Sequence, residues 1–179
     1  MGAITEEERD QRNAQAYEAL AELAREQAEI VAAHDPARLY IETLITLLRS
    51  RAIRIEGNGK PGVQSLGTTE PGAPRVGWHD GSNVYLLGTA YHQVSRYAGA
   101  QGYAFPSDER GITKELARKG YLADTGGEEN RFKSRRRDPE GGSLARVIVM
   151  SIERLRLEAE RMDIDPDDLT APIEKETRS

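Results

Sequence analysis

Residues 89–120, TAYHQVSRYAGAQGYAFPSDERGITKELARKG, hold two helical patterns separated by a short connection, and the fold is decided by what flanks them. In the first pattern Tyr91, Val94, Tyr97 and Ala98 recur at helical spacing, with Gly88 or Thr89 at the start and Gly102 as terminator. In the second, Ser107 is placed to cap, and Asp108 and Glu109 fall in the first turn, where the helix dipole favours acids. Gly120 ends it. Ile112, Leu116 and Ala117 are expected to face inward, which leaves Arg110, Thr113, Lys114, Arg118 and Lys119 on a basic outward arc. The connection from Gly102 to Ser107 suits a helix-turn-helix.

Before this pair, RVGWHDGSNVYLLG (75–88) reads as two strands joined across the turn-forming Asp80-Gly81, with Val76 and Trp78 on one face and Val84 and Leu86 on one face of the second. Trp78 is assigned to packing in preference to base stacking. In AIRIE (52–56), Ile53 and Ile55 alternate with charges, as in a short half-buried strand. Residues 57–74 carry five glycines and three prolines and are expected to form a mobile loop. Within it GNGKPG is no phosphate loop, since the lysine lacks a following Ser or Thr and a proline stands where a helix should start. Asp35-Pro36 restarts a helix over about 36–50, ringed by Leu39, Tyr40, Ile41, Leu44, Ile45, Leu47 and Leu48, and so the most buried one. A longer, thinly apolar helix is expected over 5–33, with a stripe suited to a partner helix.

After the pair, RFKSRRR (131–137) and SLARVIVM (143–150) read as strands around the turn Asp138–Gly142, followed by a helix over about 151–162. The acidic, proline-containing end, within 158–179, is expected to be unstructured. The first strand of this hairpin brings Arg131, Lys133, Arg135, Arg136 and Arg137, and Arg146 follows across the glycine turn. Helix, short strand, inserted hairpin, two helices and a basic β-hairpin is the element order of a winged helix-turn-helix, an α+β and mostly α fold, here preceded by a long N-terminal helix. That gives an extension over 1–34, a winged-helix domain over 35–157 and an acidic tail over 158–179.

Leu, Ile, Val and Phe supply 35 of the 179 residues, near the roughly 20 % below which chains tend to stay unfolded. Segments 36–56 and 76–157 hold 25 of those 35, so a core of about a hundred residues with poorer flanks is expected. Charge is as uneven. The chain is net −5, yet residues 107–137 carry nine basic and six acidic side chains, while 1–50 and 138–179 are each net −5. The absence of cysteine excludes disulfides, thiolate metal sites and thiol nucleophiles. No apolar run is long enough for a membrane span, and MGAITEEERD is no signal peptide, so a cytoplasmic location is the expectation. His34, His79 and His92 lie in separate elements, and the acids at 163, 165, 167 and 168 lack the glycine and glutamate of a calcium loop, so neither a metal nor another cofactor is expected. No nucleophile elbow, zinc-protease motif or dinucleotide fingerprint occurs.

The stretches DPARLYIETLITLLRSRAIRI, VGWHDGSNVYLLGTAYHQVSRYAGAQGYAFPSDERGITKELARKGYL and RRRDPEGGSLARVIVM, across about 35–152, resemble the C-terminal region of bacterial replicative ATPases from plasmids, phages and integrated elements. The likeness lies in a G-W-x-D-G hairpin, Y-L-L, an aromatic-rich helix and the connector Phe105-Pro106-Ser107. It implies a DNA-binding appendage to a helicase or primase-helicase, with no catalytic residues here, since the ATPase motifs belong to another part of such a parent. The expected partners are duplex or forked DNA, contacted by Arg110, Thr113, Lys114, Arg118 and Lys119 on the recognition helix and by Arg131, Lys133, Arg135, Arg136 and Arg137 on the wing. Two alternatives stay open. The fold could serve as an assembly module, docking on a replicative ATPase or a second copy through the N-terminal helix, or the chain could be a stand-alone dimeric transcriptional regulator.

Overall fold

The computed structural model describes residues 35–103, 108–124 and 133–170. The chain divides into two units, Met1–Asp35 and Pro36–Ser179, and the second carries every element below. The helix expected over 5–33 lies outside the described residues, as does the connector at 104–107. The architecture is mixed, with four helices among the described residues and a mixed β-sheet.

Helix α1 spans Pro36–Arg49 and buries Ala37, Tyr40, Ile41, Leu44, Ile45, Leu47 and Leu48. So wide an apolar arc must be covered from several sides, and α2 (Gly88–Ala100), α3 (Glu109–Arg118) and α4 (Ile152–Arg161) all pack on it. Both glycine stops hold: Gly102 (φ +84°) and Gly120 (φ +73°) take the left-handed conformation that ends a helix. The cap of α3 differs from expectation. Asp108, not a residue of the first turn, is the N-cap, its Oδ1 accepting from the Gly111 amide at 2.9 Å; Ser107 lies outside the described residues.

The strands are β1 (Arg54–Gly57), β2 (Leu66–Gly67), β3 (Arg75–His79), β4 (Asn83–Leu86), β5 (Leu122–Asp124), β6 (Ser134–Arg137) and β7 (Leu144–Ser151). They form one sheet in the order β2-β1-β3-β4-β7-β5, with β6 also on β7. Strand β7 organises it: its C-terminal half pairs with β4 and β5, and residues 144–147 pair with β6. Two expectations are corrected here, and a strand that the sequence did not announce is added. The strand beside β7 is β4, which leads directly into α2, whereas β1 lies further out, parallel to β3 and antiparallel to β2. The β1–β3 register shifts after Arg54, where Arg75 and then Gly77 are the successive partners. Val76 therefore joins the main core while Trp78 joins a second cluster with Val147 and Val149, so the two do not share a face. Strand β5 carries no apolar alternation that would have announced it.

The glycine- and proline-rich stretch is not a bare loop. Gly67 pairs with Arg54, Leu66 is buried, and the Arg51 guanidinium donates to the carbonyls of Gly67 and Thr170. The chain after α4 is likewise built in: Ile164 and Leu169 are buried, Pro166–Leu169 form a 3₁₀ turn, and Thr170 bridges to Leu66. The stretch expected to be unstructured is thus ordered as far as Thr170, and residues 171–179 lie outside the described residues.

His79 ties the same stretch down from the other side. Its buried ring sits 2.6 Å from the Gln64 carbonyl, which can only accept, so Nε2 carries the hydrogen. Nδ1 has no hydrogen-bond partner among the described residues. Burial disfavours the charged ring and lowers its pKa from the ordinary 6.5. A lowered folded-state pKa stabilises fully above the unfolded value and loses that stabilisation as pH falls. The unfolding free energy measured in urea should therefore drop between pH 7 and 5, by at most about 1.4 kcal/mol per pH unit for this one proton. His79→Gln, which keeps a donor for Gln64, should flatten that dependence; an unchanged profile would refute the assignment.

Candidate nucleic-acid interface

The two cationic elements meet on one side of the sheet. On α3, Ile112, Thr113 and Leu116 are buried, and Arg110, Lys114 and Arg118 follow one another at intervals of four along the exposed side. Thr113 is a correction to the outward arc. It lies one position from Ile112 and is only 2 % exposed, and its hydroxyl donates back to the Glu109 carbonyl at 2.6 Å. Arg118 is held by Glu115 at 2.6 Å, and Lys119 is exposed just beyond the helix.

On the β6–β7 hairpin the register decides direction. Arg135 stands opposite Arg146, Arg136 opposite Ala145, and Arg137 opposite Leu144. Directly opposed residues share a face, so Arg135, Arg137, Leu144 and Arg146 lie together. The same alternation continues along β7 to Ile148 and Met150, which pack in the core that holds Ile112 and Leu116 of α3. The arginine face of the hairpin is therefore the α3 side of the sheet. Lys133, at the foot of β6, bonds Glu109 at 2.7 Å and links the two elements directly. Among the described residues, Arg110, Lys114, Arg135, Arg137 and Arg146 make no ion pair.

The opposite face is clamped. Arg136 points there and bonds Asp124 at 2.7 Å, which withdraws it from the free arginines. Asp138 receives two hydrogen bonds from the Arg75 guanidinium, at 2.8 and 2.7 Å, and Arg75 also reaches Glu56 and lies over the Trp78 ring. Trp78 stacks on Tyr85, as a packing residue should. These bonds hold the Asp138 carboxyl below the usual carboxylate range and raise Arg75. The stabilisation is present above about pH 4 and is lost as pH falls below the unfolded carboxylate value. Arg75→Ala should cost about 2 kcal/mol at pH 7, the usual scale for charged hydrogen bonds, and speed amide exchange at residues 134–147. Equal exchange in that hairpin would rule out the clamp.

Of the ten residues singled out from sequence, the structure thus brings Arg110, Lys114, Arg135 and Arg137 to one side, free of acidic partners among the described residues. Arg118, Lys133 and Arg136 are engaged, Lys119 is exposed, Thr113 is buried, and Arg131 lies outside the described residues. Arg146 belongs in the set, and its signal was its register across the glycine turn. Arg75 had no local signal, because its partner is 63 residues away. Among the described residues no group of three or more His, Asp or Glu is placed to hold a metal ion, and no helix is long and apolar enough to cross a membrane. Comparison with models of protein families, with curated proteins and with solved structures finds no match.

Proposed function

We propose that residues 36–161 are a winged helix that binds DNA, as the DNA-contacting part of a replication ATPase of a mobile element. In this reading α1, β4, α2, α3, β5–β6 and β7 are the successive helices and strands, α3 is the recognition helix, and the β6–β7 hairpin is the wing. The observation that carries the reading is the placement of Arg135 directly opposite Arg146. Like charges facing each other across a ladder destabilise a hairpin by roughly 0.2–1 kcal/mol, and no acid among the described residues relieves this pair. A local rule broken in this way, on the side where α3 adds Arg110 and Lys114, fits a surface completed by a polyanion. The tie to a replication ATPase rests on the sequence resemblance alone.

The test is an anisotropy titration of the whole chain against duplex, forked and single-stranded DNA at two salt concentrations. Binding that weakens steeply with salt supports the reading. No binding to any of the three would overturn it in favour of an assembly module.

A further inference from the structure

The tip of the β6–β7 hairpin carries a side chain that the electrostatic reading leaves unused. Leu144 is 67 % exposed, on the same face as Arg135, Arg137 and Arg146 and directly across from Arg137. It contributes nothing to either hydrophobic cluster, although Ile148 and Met150 further along the same face are core. The turn beside it is slim: Gly141, Gly142 and Ser143 are all exposed, and Gly142 adopts φ +65° with open space where a side chain would stand. The turn is also held firmly. The Asp138 amide donates to the Ser143 carbonyl and the Gly142 amide to the Asp138 carbonyl, each at 2.8 Å, while Arg75 grips the Asp138 carboxylate from the far face.

A narrow, braced tip with one apolar side chain between two arginines has the form of a minor-groove wedge. The B-DNA minor groove is only about 6 Å wide, which a glycine turn suits, and arginine is attracted by its negative potential. Apolar side chains inserted there part a base step and kink the duplex, and the unstacking is repaid by additional contacts along the bent DNA. From this we infer that Leu144 enters the minor groove of duplex DNA and partly unstacks one base step, with Arg137 and Arg146 on the flanking phosphates. The inference deepens the proposed function and rests on it.

The experiment uses the whole chain and a duplex carrying 2-aminopurine at successive positions, whose fluorescence rises on unstacking, together with end-labelled duplex for bending by energy transfer. The wild-type protein should raise the 2-aminopurine signal at one or two positions and bend the duplex by roughly 20–90°. Leu144→Ala should abolish both signals while the protein still binds the duplex, and Leu144→Met should keep them. Duplex binding without unstacking or bending, or a Leu144→Ala protein that still unstacks the base, overturns the wedge while leaving DNA binding intact. Failure of the wild-type protein to bind duplex at all overturns the DNA-binding reading itself.

Discussion

Replacing Arg135, Arg137 and Arg146 together with alanine is expected to weaken duplex binding by about two to three orders of magnitude at ~0.1 M salt. Each phosphate contact on B-DNA contributes roughly 0.9 to the slope of log affinity against log salt. Relative to 1 M salt, one contact is then worth about eightfold at ~0.1 M, and three are worth about five hundredfold. The slope itself should fall by up to about 2.7, and the loss should be uniform across DNA sequences because phosphate contacts carry no base identity. The three arginines make no ion pair with any described residue, and Arg135 and Arg146 repel across the hairpin. The variant should therefore be at least as stable as the parent in urea, which separates lost binding from lost folding. Arg136→Ala is the contrasting case: its guanidinium is committed to Asp124, so the salt slope should barely move. A triple variant with unchanged slope would remove the β6–β7 hairpin from the proposed DNA-binding surface.

The second large effect is expected in a stretch whose composition suggests tolerance. Gly67 has φ +82°, and a Cβ there would collide with the Ile53 carbonyl oxygen and press on Leu48. The left-handed conformation alone costs a side chain about 1–2 kcal/mol, and the backbone collision has no flexible atom to yield. Gly67→Ala should lower stability by about 3–4 kcal/mol, a large share of the 5–15 kcal/mol typical of a domain. Gly62 is the control, with φ +83° and nothing near its open side. Gly62→Ala should cost only the conformational part, about 1 kcal/mol. Equal urea midpoints for the two variants would show that β2 is not packed against the strand before it.

These cases mark what the sequence could and could not reveal. The four helices were legible because their determinants are local: the proline after Asp35, the apolar recurrence from Tyr40 to Leu48, the glycines at 102 and 120. The turn at Asp80-Gly81 was legible for the same reason, and Asp80 Oδ1 accepts the amides of Ser82 and Asn83 that close it. The order within residues 57–74 was not, because it comes from groups far along the chain: Arg51, His79 and Thr170. Thr113 shows where polarity misleads, because its position on the helical wheel beside Ile112 and Leu116 buries it. At the candidate site the charges themselves were visible, but their sorting into free and clamped faces needed the β6–β7 register and the acids that meet it. Asp124 takes up Arg136 and Glu109 takes up Lys133, and nothing in the spacing of RFKSRRR says which cations are so engaged.

The Arg51 guanidinium, shared between the carbonyls of Gly67 and Thr170, has a consequence for how the protein is made. Strand β2 can finish its surroundings only when a segment more than a hundred residues downstream arrives, and Ile164 and Leu169 complete the core at the same moment. Closing such distant pairings is slow, because the loop entropy is spent before the contacts repay it. A ribosome-bound chain that has not yet released Thr170 would thus hold an open, sticky edge along α1. Its interval of vulnerability to chaperones and proteases is set by the arrival of residues 164–170, not by closure of the β6–β7 hairpin.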